Sequence, residues 1–457
     1  MTTNKIVHLE APEITTLVFG ALTKLKYAAC LVISLDPGQH ERCQAWLKEL
    51  APLLTYGHAD HDKPVYVLAL TATGLRHLGL HGDDLATFPA AFVNGMTSEG
   101  RARALGDVGS RASKCWEWGN DRIRPDAALL VYADSAGALD NAVTAIEQLQ
   151  NASSVTIGIR IDLQPRLKGA TTEPFGFRDG LSQPIIPDTP AARRHPLRDQ
   201  IVAAGEFVLG YPDNRGYMPP VPTVATAREP HGYLPRLGGG RADLGRNSSF
   251  LVIRQLRQDV EGFTTYVKTR ALQWGKGPDF IAAKLLGRWP DGSSLVRHPT
   301  HPGGRTDNEF RFGTEDPDGL HCPLGAHIRR ANPRDSLHPD IDDPLAITNR
   351  HRILRVGRPY IVARDAPPEG LLFMCLNADI ERQFELIQQS WLLRPNFQGL
   401  RDEMDPLIGA NRGTGSFTVP TEFGPSHLVE LPDFVTPIGG GYFWLPSRSA
   451  VEYLAVP

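Results

Sequence analysis

The chain has 457 residues, 41% of them apolar, with 48 basic and 51 acidic side chains and a formal net charge of -3. That length and apolar content suit two or three ordinary domains or one large duplicated unit, and argue against disorder. The near balance of charge argues against nucleic acid or an anionic membrane as the main partner.

The opening run, MTTNKIVHLEAPEITTLVFG, lacks the basic start, apolar stretch and small-residue cleavage site of a secretory signal. The longest compact apolar stretch, Tyr27–Leu35, is far short of the ~20 residues that span a bilayer. The five cysteines (Cys30, Cys43, Cys115, Cys322 and Cys375) are scattered, without a CxxC pair or a CxxCH run. These features predict a soluble, cytoplasmic protein without a disulfide framework, structural zinc or covalently attached c-type haem.

Tyr27–Leu35 reads as a strand, and Cys43, Trp46, Leu47 and Leu50 follow at helical spacing. Strands are predicted at 65–70 and 127–132, then a helix carrying Leu139, Val143, Ile146 and Leu149. Val155, Ile157, Ile159, Ile161 and Leu163 alternate strictly, the period of a half-buried strand. The order β-α-β…β-α-β outlines a ferredoxin-like unit. A Pro/Gly-rich tract from near Pro196 to Gly245 suits long loops between domains or around a site. The rhythm then returns: a strand at 249–256, a helix begun by Val260, Phe263 and Val267, and paired strands at 353–362 and 371–376. Ile380, Phe384, Ile387 and Trp391 mark one apolar face of a further helix.

Three segments carry residues suited to chemistry. Gly176-Phe177-Arg178-Asp179-Gly180 holds one carboxylate between glycines that permit unusual backbone angles and close approach of a flat ligand; an ordinary surface turn is the alternative. His327 follows small apolar residues and precedes Arg329 and Arg330. A haem needs that contrast, an imidazole for iron, apolar contact for the ring and cations for the propionates, although a lone histidine is more often structural. Cys322, before Pro323, is a rival thiolate ligand or a buried, inert thiol. In the third segment Ile353, Arg355 and Gly357 share one strand face, and an inward Arg355 needs a charged partner or ligand. His58-Ala59-Asp60-His61 has no further ligand spacing, and the glycine triplets at 238–240 and 439–441 lack the lysine and hydroxyl residue of a phosphate loop.

In combination and in order, GFRDG (176–180), GRNSSFLVIRQLRQDVEGF (245–263), HCPLGAHIRRANPR (321–334), GLLFMCLNADIERQFELIQQSW (370–391) and TPIGGGYFWLP (436–446) resemble the dye-decolourising (DyP-type) haem peroxidases. The long helix resembles the larger bacterial and fungal branch. The resemblance runs from about Glu173 onward; before that only the strand–helix pattern agrees. It implies an α+β fold of two ferredoxin-like domains, residues 1–195 carrying GFRDG and residues 246–457 holding most of the haem, with 196–245 between them. One haem b per chain is implied, with His327 as proximal ligand, Asp405 behind it, Asp179 and Arg355 on the distal side, Leu372 and Phe384 as apolar pocket residues, and Arg330 among the cations. The tract GRPYIV at Arg358 departs from relatives with a second glycine, which bears on the shape of a channel mouth.

The implied activity is reduction of hydrogen peroxide coupled to one-electron oxidation of phenols, dyes or aromatic amines through a ferryl intermediate. Asp179 would shuttle the proton. Arg355 would stabilise developing negative charge and keep Asp179 ionised, giving an acidic pH optimum. Trp391 is either a relay for electrons from bulky dyes or a core residue. Two other readings stand beside this one: a haem-handling protein that binds or transfers haem or removes its iron, and a haem-free binding protein on the same scaffold. The sequence leaves homo-oligomerisation open.

Overall fold

A computed structural model describes residues 8–20, 22–151, 154–165, 172–194, 198–338, 340–363 and 366–456. In the first half, β1 (Tyr27–Leu35), α1 (His40–Leu50), β2 (Val65–Leu70), β3 (Ala127–Ala133), α2 (Ala136–Asn151) and β4 (Val155–Leu163) follow in order. Cys43, Trp46, Leu47 and Leu50 are the buried side of α1, as their spacing requires. The four strands pair antiparallel in the order β2-β3-β1-β4.

The second half repeats the plan with β5 (Ser249–Gln258), α3 (Val260–Trp274), β6 (Arg358–Ile361), β7 (Gly370–Asn377) and β8 (Val435–Leu445). Helix α3 starts where the Asp259 side chain accepts the Gly262 N–H and stops at Gly275, whose φ of 62° a left-handed C-terminal cap requires. Its strands pair in the order β8-β5-β7-β6. Both halves therefore have the order fourth-first-third-second of a ferredoxin-like sheet.

The two sheets meet edge to edge. Trp444 of β8 pairs with Leu70 of β2, and Asp162 and Leu163 of β4 pair with Ile361 and Tyr360 of β6. These contacts close the eight strands into a ring, which leaves few bare edges. Its interior is an apolar core to which strands of both halves contribute, including Cys30, Val67, Leu130, Ile161, Ile253, Met374 and Phe443. Helices α1 and α2 pack outside the first half, and α3 belongs to a separate core against the hairpin Gly415–Thr421 and Gly424–Leu431. Within 198–245 regular structure is limited to short pieces such as the ladder of Thr223–Ala225 with Arg241–Asp243, tied to the first half by the buried Asp84 through Arg228 and Arg241.

Two segments depart from their sequence pattern. The strand expected over 353–362 is two pieces, Leu354–Arg355 and Arg358–Ile361, each pairing with β7. At Gly357 between them a Cβ would lie 2.4 Å from the Leu372 carbonyl oxygen. The helix expected after Ile380 is π-helical over Glu381–Glu385 and Ile387–Leu392, with bonds such as Glu385 N–H to Ile380 O (2.9 Å) and Leu393 N–H to Gln388 O (3.0 Å). Its turn is wider than the 3.6 residues of an α-helix, so an α-helical period misassigns its faces. Phe384, Ile387, Gln388 and Leu392 face a cavity, while Ile380 packs in the outer core of the first half. Trp391 is buried with Ile387, Leu392 and Phe397, edge-on to the His351 ring, which favours its core reading. Among the described residues no helix is long and apolar enough to cross a membrane.

Candidate active site

A cavity of about 270 Å³ opens between the GFRDG loop, β5, β7, the π-helical segment and the short helix α4 (His327–Ala331). His327, Asp179, Arg355 and Phe384 all line it.

On one side His327 donates its Nδ1–H to Asp405 Oδ2 at 2.9 Å; the carboxylate partner assigns the proton to that nitrogen. Nε2 is left as the nitrogen with a free lone pair. Asp405 is fully buried, and its Oδ1 accepts the N–H groups of Leu407 (2.9 Å) and Ile408 (2.8 Å). Burial raises the Asp405 carboxyl, but His327, the Ile408 N–H and the Arg330 charge outweigh it and hold the group below the ordinary carboxylate value.

On the other side one loop organises two charged groups. Gly180 N–H donates to Asp179 Oδ1 at 2.6 Å, and Arg355 NH1 lies 3.8 Å from the same oxygen. Both side chains are about one-third exposed, at 34% and 36%, so the ion pair is loose and each keeps room for a further partner. Arg355 also donates to the Leu181 carbonyl. Gln183 clamps the Arg355 backbone, donating to its C=O (2.7 Å) and accepting its N–H (3.2 Å), as a neighbouring strand would. Upstream, the Glu173 carboxylate accepts the N–H groups of Phe175 and Phe177 and the Gln258 amide. Burial pushes the Glu173 carboxyl up, and the nearby Asp179 charge adds to the shift.

Three buried arginines complete the wall. Arg288 donates to Gly292 O, Asp307 O and Asn308 Oδ1; Arg334 to Asn308, Phe310 O and Ser182 Oγ; Arg352 to Ser182 O and Gln200 Oε1. Every one of these acceptors is neutral. Burial pushes the guanidinium groups down to about 10, 9 and 10 respectively, with Arg288 and Arg352 adding to the shift at Arg334. All three still carry charge at neutral pH.

Several expected positions are corrected. Leu372 points into the ring interior and is fully buried there; its neighbours Leu371 and Phe373 face the cavity, because successive strand residues take opposite faces. Arg330 does not line the cavity: its guanidinium is buried and donates to the carbonyls of Gly325, Trp391, Arg394 and Glu403. Cys322 is also off the cavity, packed against Gly287, and burial pushes its thiol up to about 12. A thiolate ligand there has no support. Arg358 is buried against the carbonyls of Leu22 and Lys26, away from the cavity.

Sequence reasoning missed Glu173, Gln183, Arg288, Arg334, Arg352, Leu371 and Phe373. Arg334, Leu371 and Phe373 carried a signal, since they lie in the segments HCPLGAHIRRANPR and GLLFMCLNADIERQFELIQQSW.

No family model matches the chain. It is 28% identical over 425 residues to Peroxidase 2 of Mycetinis scorodonius, covering 84% of this chain and 75% of that protein. It is 29% identical over 420 residues to Multifunctional dye peroxidase DyP2 of Amycolatopsis sp., covering 86% and 82%. A match to Deferrochelatase of Yersinia pestis, 30% identical, is confined to 118 residues, 25% of this chain and 23% of that one. Among solved structures, an ancestral D-type dye decolorizing peroxidase superposes with a TM-score of 0.77 at 25% identity, covering 99% of this chain and all of that chain. The Anabaena DyP-type peroxidase gives a TM-score of 0.79 at 21% identity, covering 99% and 100%.

Proposed function

The chain belongs with the DyP-type peroxidases, and on that premise we propose that it holds one haem b in this cavity and reduces hydrogen peroxide at the expense of phenols, dyes or aromatic amines. One observation carries the reading: a single cavity joins an imidazole backed by a buried carboxylate to a separate carboxylate–guanidinium pair.

The residues fit the cofactor. His327 offers Nε2 to iron, and Leu371, Phe373, Phe384, Ile387 and Leu407 offer apolar contact to a flat ring. Buried cations without carboxylate partners are costly. Arg288, Arg334 and Arg352 line the cavity, which Arg330 does not, and are therefore the groups we assign to the propionates in its place. When bound, the haem supplies the iron at which peroxide is cleaved and the two oxidising equivalents are kept. Asp179 takes a proton from the inner peroxide oxygen and returns it to the outer one, and Arg355 steadies the charge growing on the outer oxygen. Asp405 holds the His327 ring in one tautomer and makes it a stronger donor. We take residues 1–195 and 246–457 as the two domains, with 196–245 as their connection. A cytoplasmic location rests on the scattered cysteines.

An absorption spectrum before and after one equivalent of peroxide tests the reading. A Soret band is expected, with a rapid change on peroxide; protein that cannot be loaded with haem would sink it. His327→Ala is expected to lose the histidine-ligated spectrum. Asp405→Asn is expected to weaken activity or haem affinity by ~10–100-fold, measured by titration of the apoprotein. The haem-handling reading has little behind it, because the similarity to a deferrochelatase covers only 25% of the chain.

A further inference from the structure

Tyr442 lies on β8 behind the cavity wall. Its ring is 6.3 Å, centroid to centroid, from Phe384 and nearly perpendicular to it. Phe384 lines the cavity, as does Phe373, whose ring is 6.3 Å from that of Phe384. One aromatic ring thus separates the phenol from the space assigned to the haem. Tyr442 is 3% exposed, and its hydroxyl donates to Glu385 Oε1 at 2.7 Å. The other Glu385 oxygen meets Arg101 at 2.5 Å, and Arg101 continues to Glu381, whose side chain is 51% exposed.

A carboxylate beside a buried hydroxyl has a specific chemical use. Burial and the Glu385 charge push the Tyr442 hydroxyl well above its ordinary range, so the resting phenol keeps its proton. A phenol that has lost an electron is a strong acid, and a base within hydrogen-bond reach then lets the proton follow. Nearby indoles have no such base. Trp444 donates to Ser248 Oγ, Trp116 to Arg111 O and Trp118 to Gln255 Oε1.

We propose that Tyr442 is a redox-active tyrosine that gives one electron to the peroxide-oxidised cavity while its proton passes to Glu385. The inference rests on the peroxidase reading, which supplies the oxidant as one of the two equivalents left by peroxide. In the step the Tyr442 O–H bond breaks, the electron leaves the ring, and a proton bonds to Glu385 Oε1. The products are a neutral tyrosyl radical and a neutral carboxyl group. An aromatic reductant restores Tyr442 by supplying one electron while Glu385 returns the proton. Arg101 keeps Glu381 as counter-charge throughout. Such a site would hold an oxidising equivalent in the protein when no reductant occupies the cavity.

The test is freeze-quench electron paramagnetic resonance of haem-loaded protein mixed with one equivalent of peroxide, with and without ring-deuterated tyrosine. A tyrosyl signal narrowed by the label is expected, absent from Tyr442→Phe and severalfold weaker in Glu385→Gln. Phenylalanine keeps the ring and its packing, and circular dichroism with the resting Soret band checks the fold of both variants. A tyrosyl signal undiminished in Tyr442→Phe overturns the inference. So does wild-type protein that consumes peroxide without a tyrosyl signal, and that result leaves the peroxidase reading standing. Haem-loaded protein that consumes no peroxide overturns both.

Discussion

Replacing Asp179 with asparagine is expected to slow peroxide reduction by ~10²–10⁴-fold while leaving the Soret band of the resting protein in place. Asparagine has nearly the same shape, and its carbonyl oxygen can still accept the Gly180 N–H that now fixes Asp179 Oδ1. The upstream turn is held independently by Glu173, which accepts the Phe175 and Phe177 N–H groups. The loop therefore stays where it is, and the side chain loses its negative charge towards Arg355 and its ability to take up a proton. At 34% exposed, Asp179 also contributes little to the packed core, so the variant is expected to fold. Stopped-flow absorption against peroxide concentration separates the outcomes. A rate constant within a few-fold of wild type would remove the proton-shuttle role and favour a protein that merely holds haem.

What the sequence revealed and what it hid follow from the same physics. Period-two alternation located β4, which buries one face, apolar runs located β1 to β3, which are buried on both, and helical spacing located α1, α2 and α3. The closing of eight strands into one ring was not visible, since it depends on one pair at Trp444 and two at Asp162 and Leu163, none with a local signature. The π-helical turn defeated the 3.6-residue period between Ile380 and Trp391. Leu372 was one residue out of register, which in a strand exchanges the cavity for the ring interior. Arg330 and Arg334 sit in one basic segment, and nothing local tells which of the two lines the cavity. That distinction comes from residues far along the chain, Trp391 and Glu403 for Arg330 and Ser182 for Arg334. Strand alternation did place Arg355 on the face opposite Leu354 and Val356, and the latter two pack in the ring interior.

Arg355→Leu is the second large effect, an expected loss of ~10²–10³-fold in the peroxide step, or about 2.7–4 kcal/mol of transition-state stabilisation. Gln183 makes this variant informative, because it bonds to the backbone N–H and C=O of residue 355 and not to its side chain. The strand register therefore survives loss of the guanidinium. What disappears is the charge 3.8 Å from Asp179 Oδ1 and the donor to Leu181 O. Lysine at 355 is expected to restore only part of the rate. It keeps the charge but lacks the planar fork that reaches Leu181 O and the peroxide site together. If Asp179 and Arg355 act on the same bond in the same step, their effects are not independent. Asp179→Asn combined with Arg355→Leu should then be little slower than the worse single variant. Losses that multiply fully in the double variant would mean that the two groups serve separate steps, and a rate in Arg355→Leu close to wild type would leave the guanidinium with a structural role alone.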